Sequence, residues 1–508
     1  MTRSPVDTLT LLVALAALVL LFGGAPLGLA IPAGGLVWML LRASADSDRR
    51  LSRTLRLLIL SYPLYIGVVQ FSYWRSGQQG VDFGIFSQLI YQVAHHDRFT
   101  TSLISTEWQN FITHHFSPFL IILGGISKLG VSSECTLIAA HVVAVAFLVC
   151  GLLAFWRISD TSRHALALTA TALLLPGVRR ALGWETHDEV LALPCIIWSL
   201  VAHLQGKATL RLLLLFPPLL FKETFGLGMF TTGIAYYLAD RFGSTTRASS
   251  ERRAALLTAL CGLGFFILTT KVFPWWLWVP TFDPSTRLLG LSDLLDQEFI
   301  HAKARWALIT FTPAIPFVFL HTRHTLRTTI ILMSPAAYNI AAIMSTNFPA
   351  MMDPYNYYSI TPALLVFCAL SLPVLRHRKA PVAILAALSL AVICGSTVRS
   401  SKIVRQAFTA PSAYAELRVF VPQDSSVIVD DYTASVLADN SYLLRVFHAR
   451  RSKPGFDYIV TTKSLPEHLS DALKRRSVLC HETPRYHIRC RKPKPPLTPS
   501  SAETTSGK

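Results

Sequence analysis

The sequence predicts an all-α polytopic membrane bundle, about 13 spans plus one re-entrant segment, followed by a small extracytoplasmic α/β C-terminal domain. Three observations carry that expectation. Apolar residues make up 52% of the 508 positions and charged residues only 15%, against roughly 25% charged in soluble domains. Apolar stretches near the ~20 residues that a bilayer-crossing helix needs recur from Leu9 to Val398. Beyond them the chain turns to short strand-like and helical runs.

The spans read as 8–22, 26–41, 55–74, 134–156, 164–178, 189–205, 209–221, 224–239, 254–274, 305–321, 326–345, 357–376 and 381–398. One more apolar stretch, 117–130, is short and rich in glycine, and reads as re-entrant or juxtamembrane. Charge then sets the orientation. Arg49, Arg50 and Arg53, Arg157 and Arg163, Arg241 to Arg253, and Arg376 to Lys379 fall in turns that share one side only if 117–130 does not cross. Lys and Arg concentrate in cytoplasmic turns, so a multi-pass protein of the cell inner (cytoplasmic) membrane is expected, N-terminus inside and C-terminal domain outside. The same distribution explains the net charge of +18 through membrane anchoring and speaks against nucleic acid as a partner. Residues 8–22 lack a small-residue cleavage site and read as an uncleaved first span.

Four regions follow: a two-span hairpin with a basic loop (1–54), a transmembrane domain with the outer loop 75–116 (55–398), a soluble α/β domain (399–491) and a disordered tail (492–508) rich in Pro, Ser, Thr and Lys. In the outer loop, Phe86, Leu89, Ile90 and Val93 recur at helical spacing. They predict an amphipathic helix along the membrane surface, with Ser87, Gln88 and Gln92 facing water. In the soluble domain, 419–431 reads as strand–turn–strand, 456–463 as a strand, 465–476 as a helix and 477–490 as a hairpin. Cys480 and Cys490 could close that hairpin with a disulfide in an oxidising compartment. The other six cysteines lie in apolar spans, where Cys acts as a small hydrophobe.

Ionisable groups beside or within apolar spans are costly and so become candidates for function. Five clusters fall on the expected outer face. Asp82 in GVDFGIFSQ could be a general base toward an acceptor hydroxyl, although Asp ahead of an apolar helix also reads as an N-cap. His114 and His115 could bind phosphate or metal, or be interfacial polar residues before a turn. GWETHDEV sets Glu185, His187 and Glu189 at alternate positions, suited to metal ligation or acid–base work or to a solvated loop. Lys222 and Glu223 sit between two apolar runs and could be a structural ion pair, but adjacent residues do not face each other on a helix, which favours a lysine that binds an anionic headgroup or phosphate. The fifth is DPYNYYS with Tyr357, alongside the rim cations Arg179, Arg180 and Arg305. There is no Walker loop, GxGxxG, HExxH or CxxC to support nucleotide hydrolysis, dinucleotide chemistry or zincin activity.

Taken in order, these segments resemble a family of uncharacterised bacterial and archaeal membrane proteins catalogued as domain of unknown function twenty-seventy-nine. VDFGIFSQ, with Asp82, Phe83, Gly84 and Gln88, resembles its F-D-L-G-I-F-x-Q run. His115 to Pro118 resemble its H-F-S-P step, Glu185, His187 and Glu189 its D-F-H-P-E step, and Lys222 with Glu223 its K-E-D/T step. Pro422 to Val427 resemble its P-x-D-A-S-V end. Glu185 and Asp188 depart from the family's usual Asp and Pro. The resemblance runs from about residue 55 to 465. In architecture that family is similar to GT-C glycosyltransferases, which take a sugar from a polyprenyl-phosphate donor and transfer it outside the membrane.

What the resemblance implies is a GT-C-like bundle acting as a lipid-linked-sugar glycosyltransferase, with membrane lipid and a polyprenyl-phosphate sugar donor as partners. Asp82 would be the base. Lys222, with Arg179 or Arg180, would neutralise the phosphate leaving group. Glu185, His187 and Glu189 would orient substrate or hold a divalent metal ion. His114, His115, Gln88, Glu223 and Tyr357 complete the candidate binding set. A transporter or flippase of a lipid-linked or anionic substrate, or a non-catalytic membrane assembly factor, remain the alternatives. The gathering of ionisable groups at one rim and the lack of repeats favour the enzyme.

Overall fold

The computed structural model describes residues 49–104, 109–113, 115–158, 164–241, 249–272, 297–321, 323–346, 349–354, 357–375, 380–394, 412–440, 442–445, 456–462 and 471–492. The expected spans 8–22 and 26–41, His114 and the tail beyond 492 lie outside the described residues.

The first half is a run of helices: α1 (Arg49–Arg75), α2 (Val81–His96), α3 (Phe119–Ser127), α4 (Ser133–Arg157), α5 (Ala165–Leu174), α6 (Pro176–Gly183), α7 (Asp188–Leu204) and α8 (Ala208–Leu215). Then come α9 (Phe225–Arg241), α10 (Ser249–Ile267), α11 (Gln297–Phe311), α12 (Arg323–Met333), α13 (Ala337–Ser345), α14 (Ile360–Ser371) and α15 (Ala380–Cys394). Among the described residues, three stretches are long and apolar enough to cross a membrane: Ser133–Arg157, Glu251–Val272 and Thr328–Ser345. A fourth arises if α5 and α6, bent by 71° at Leu175–Pro176, form one broken span. Ala208–Leu220 and Ile360–Val374 are shorter apolar helices. Helix α3 has only nine residues, about 14 Å at 1.5 Å per residue, well short of a ~30 Å hydrocarbon core.

One large apolar core joins α4, α5, α7, α14 and α15, around Trp156, Leu168, Leu193 and Phe367. Between helices in lipid, such packing supplies the cohesion that water would otherwise drive. Helix α4 begins where Ser132 Oγ accepts from Cys135 N at 3.2 Å, a serine cap that satisfies one of the four unpaired first-turn donors.

The second core lies between α2 and the C-terminal domain. That domain opens with α16 (Ala413–Arg418) and holds a five-stranded sheet in the order β4-β3-β5-β7-β6. The strands are β3 (Ser426–Val429), β4 (Tyr442–Arg445), β5 (Tyr458–Thr462), β6 (Ser477–Glu482) and β7 (Tyr486–Arg491), and α17 (Asp471–Arg476) precedes β6. A separate two-stranded ribbon, β1 (Thr100–Thr101) and β2 (Gln109–Asn110), belongs to the loop after α2. Strands β4 and β5 run parallel to β3 on either side, while β7 is antiparallel to β5 and β6. Cys480 and Cys490 are bonded across the β6–β7 hairpin. The expected strand at 419–421 is instead the end of α16 and a turn, because the helix runs to Arg418 and Pro422 follows. Val427, Val429, Leu443 and Val460 from the sheet pack in one cluster with Phe83, Phe86 and Leu89 of α2.

That packing corrects the expectation for α2. Ser87, Gln88 and Gln92 are buried. Gln88 Oε1 accepts from Thr101 Oγ1 (2.6 Å) and Ser102 N (3.1 Å), and its Nε2 donates to Ser102 Oγ. Ser102 Oγ accepts in turn from Leu443 N at 3.1 Å. The polar side of α2 faces the loop that follows it and the C-terminal domain, so it needs no water. Gln88, its amide committed on both atoms, is a structural joint and does not belong to the substrate-binding set.

Candidate active site

Helix α7 begins at Asp188 after the extended residue His187, and its first turn carries Asp188 and Glu189. Acidic residues are favoured there by the helix dipole. This short segment meets three others: the start of α2, the loop before α3 and the turn before α9.

Asp82 lies in the first turn of α2, but the N-cap position is Gly80, which offers no side-chain bond. The N-cap reading of Asp82 is therefore overturned. The carboxylate that serves this helix end comes from outside: Glu185 Oε2 accepts from Phe83 N at 3.4 Å. The Glu185 carboxylate packs directly on Gly80, where an added Cβ would run into Oε2 and displace it. Freed from capping, Asp82 turns Oδ2 toward His187 Nδ1 at 3.5 Å, while His187 Nε2 lies 3.3 Å from Glu185 Oε1. An imidazole thus bridges two carboxylates. Its side chain is 3% exposed and that of Glu185 10%, whereas Asp82 remains 33% exposed, so Asp82 is the member an incoming group can reach.

Two residues on, Glu189 Oε1 accepts from Lys222 Nζ at 2.8 Å, and the ammonium also lies 5.5 Å from the centre of the Tyr358 ring. Glu223 turns the other way. Its Oε1 is 3.2 Å from His115 Nδ1, and its Oε2 accepts from Phe116 N at 3.1 Å. Ser117 Oγ contacts both Asp188 Oδ2 (3.3 Å) and the Phe221 carbonyl. The neighbours Lys222 and Glu223 are accordingly not a pair. Each is paired at long range, which helix geometry allows because adjacent side chains diverge.

The electrostatics follow from this layout. Burial, then Glu185, push the Asp82 carboxyl above its ordinary range against the pull of His187, Lys222 and His115. Burial disfavours a charged His187, yet Glu185 and Asp82 outweigh it and hold the imidazole above the usual histidine range. Burial likewise opposes the Lys222 charge, but Glu189 and Tyr358 keep the ammonium well above its ordinary value. Burial would raise Glu223, but His115 and Lys222 bring it down to about 2.

The ligand atoms of Asp82, Glu185 and His187 all lie within 4.8 Å of one another. Two carboxylates and an imidazole at that spacing fit a divalent ion of the Mg²⁺, Mn²⁺ or Zn²⁺ class. Asp188, Glu189 and Glu223 lie close by, with Ser117, Lys222 and His115 as their respective partners.

The remaining expected site residues divide. Arg180 stacks 3.9 Å over Trp184 and feels Asp353, Glu185 and Tyr432. Arg179, one position earlier on α6, acts on Tyr62 of α1. Tyr357 is in a 3-10 turn, Tyr357–Ser359, with its side chain outside the described residues; it is Tyr358 that faces Lys222. Sequence reasoning passed over Tyr358, Ser117 and Trp184. Each is adjacent or nearly so to a residue it singled out, and an aromatic or hydroxyl beside a buried charge was the available signal.

A family model described as "predicted membrane protein (DUF2079)" matches residues 78–487. No curated protein matches the chain. Among solved structures, the chain is similar to ArnT from Cupriavidus metallidurans in the apo state, at 12% identity over 87% of this chain and 100% of that one, with a TM-score of 0.49. It is also similar to the Archaeoglobus fulgidus oligosaccharyltransferase tethered with an acceptor peptide, at 11% identity over 82% of this chain and 72% of that one, with a TM-score of 0.33.

Proposed function

The chain belongs to the DUF2079 family of predicted membrane proteins, and from its site we propose that it is a membrane glycosyltransferase, transferring a sugar from a polyprenyl-phosphate donor to an acceptor hydroxyl at the extracytoplasmic face. One observation carries the reading: residues 187–189 tie an accessible carboxylate, Asp82, to a buried cation, Lys222. Group transfer from a lipid phosphate needs those two functions side by side, a base for the incoming hydroxyl and a cation for the departing phosphate.

The steps follow from the residues. Asp82, its proton affinity raised by burial, accepts the acceptor proton on Oδ1, the oxygen farther from His187. A base matched in this way contributes about 10²–10⁴-fold. The acceptor oxygen bonds to the anomeric carbon as the bond from that carbon to the phosphate oxygen breaks, and the electron pair leaves with the phosphate. Lys222 donates one of its three N–H groups to Glu189, and another can meet the phosphate charge as it develops. Glu189 fixes the ammonium in advance, so little reorganisation is needed. A divalent ion held by Asp82, Glu185 and His187 would supply further electrophilic stabilisation of the phosphate.

The test is direct. Full-length protein in nanodiscs is given a short-chain polyprenyl phosphate carrying a radiolabelled hexose, with membrane lipid extract as acceptor source. Wild type should release the unlabelled polyprenyl phosphate while the label moves to a new product, and Asp82→Asn should not. Release at the same rate from Asp82→Asn as from wild type would remove the chemical role assigned here.

A further inference from the structure

The soluble domain presents its parallel strands to this site in a telling orientation. From β3 the chain first adds β4 on one side, then crosses to add β5 on the other, so strand order reverses at β3. In open parallel sheets, ligands bind outside the carboxyl ends of the strands at such a reversal. Here those ends are Val429, Arg445 and Thr462, and β3 runs directly into Asp430, Asp431 and Tyr432.

That loop is fixed rigidly. The buried Asp430 carboxylate accepts from Thr433 N (2.8 Å) and Thr433 Oγ1 (2.6 Å) on one oxygen, and from Thr462 N (2.6 Å) and Thr462 Oγ1 (2.9 Å) on the other. It thereby clamps the end of β3 to the end of β5. Asp431 pairs with Arg445 of β4 at 2.8 Å. The following 3-10 turn, Thr433–Ser435, packs on α2 at Gly84, where an added Cβ would lie 2.9 Å from the Ala434 carbonyl carbon and 3.0 Å from Ser435 N. Gly84 is two residues from Asp82. The carboxyl edge of the sheet therefore sits against the helix turn that carries the open carboxylate.

Within this anchored loop Tyr432 stands out. Its neighbours from Thr433 to Ala438 are buried, yet it is 37% exposed. Arg180 of α6 lies 3.9 Å over the Trp184 ring, and Tyr432 and the Glu185 carboxylate are both near enough to act on its guanidinium. A fixed, half-open aromatic near a guanidinium and carboxylates is suited to a polyhydroxylated ring, whose C–H face packs on the aromatic while its hydroxyls meet the polar groups.

We propose that the carboxyl edge of the β4-β3-β5 sheet completes the substrate site, with Tyr432 and Arg180 holding the sugar of the lipid-linked donor. The proposal rests on the glycosyltransferase reading and adds to it a sugar-recognising wall supplied by the soluble domain.

Two probes separate the two ideas, each titrated into the full chain in nanodiscs: a short-chain polyprenyl phosphate, and the same lipid phosphate carrying a hexose. Tyr432→Ala should weaken the hexosyl probe about tenfold, the scale of one good aromatic contact, and leave the bare lipid phosphate unchanged. Tyr432→Phe should bind both as wild type does. Arg180→Lys, which keeps the charge but loses the guanidinium fork, should weaken the hexosyl probe alone, a result that stands even if Tyr432→Ala lowers the melting temperature. Lys222→Met combined with Glu189→Gln, which leaves no orphaned carboxylate, should weaken both probes. If Tyr432→Ala and Arg180→Lys bind the hexosyl probe as tightly as wild type while that double variant loses both, the sugar wall is wrong and the transferase reading survives. If wild type binds neither probe, both fall.

Discussion

The two ends of α7 carry buried ionisable groups under opposite arrangements. At its C-terminal end His203 stacks 4.3 Å from the Tyr236 ring, and the Arg211 guanidinium of α8 lies 4.1 Å over the same ring with Nη1 2.9 Å from His203 Nδ1. One charge is spread across aromatic faces, and Arg211 is only 3% exposed. At the N-terminal end, about 25 Å away at 1.5 Å per residue, carboxylates outnumber cations and Asp82 is open. Depth of burial therefore does not mark a site in this bundle. What distinguishes the N-terminal end is a cluster of carboxylates around one imidazole, one of which, Asp82, stays partly accessible.

The sharpest way to break this comparison is to neutralise one residue at each end. Asp82→Asn should cut transfer by about 10²–10⁴-fold, with a melting temperature close to wild type, because Glu185 and not Asp82 serves the α2 terminus. Arg211→Lys should do the reverse, lowering the melting temperature through lost stacking and hydrogen bonding while transfer persists. Equal loss of activity in both would erase the distinction.

Next in size is the Lys222–Glu189 pair. Removing one partner of a buried ion pair costs about 3–5 kcal/mol, so Lys222→Met should be strongly destabilised in thermal unfolding. Adding Glu189→Gln should recover most of that stability without restoring activity. Adding Glu223→Gln instead should recover little, because Glu223 is held by His115.

These pairings show where the sequence was legible. Asp82, the Glu185–Glu189 segment and Lys222 announce themselves as charges among apolar runs, where lipid makes every ionisable group conspicuous. The partner of Lys222 is 33 residues away and that of Glu223 is 108 residues away. No local spacing contains such information. Gln88 was misassigned for a related reason: periodicity identifies the polar side of α2 but not the soluble domain that covers it. The sheet hairpin and β5 were readable from alternation and turn residues. By contrast, Val419–Val421 alternates like a strand yet follows directly from α16. The short α3 agrees with the reading of 117–130 as too short to cross, whereas the bend at Leu175–Pro176 depends on packing that apolar length alone does not reveal.

A smaller effect tests the His115–Glu223 contact. Glu223 titrates at about 2 in the fold against an ordinary value of 4.5. A depressed carboxyl contributes stability that is present above its unfolded pKa and lost as pH falls through the folded one. Melting temperature should therefore fall between about pH 4.5 and pH 2 by more in wild type than in Glu223→Gln. Parallel curves for the two proteins would mean that the contact is not held in solution.

The central claim is that the N-terminal end of α7 gathers Asp82 and Glu185 around His187 as a reachable cation-binding set. Cation uptake measures that property most directly. Full-length protein in nanodiscs, titrated with Mn²⁺ and followed by electron paramagnetic resonance, should remove one ion per chain from solution. Asp82→Asn and His187→Gln should abolish that uptake, and Arg211→Lys should leave it intact. No uptake by wild type, or the same uptake by all four proteins, would contradict the account.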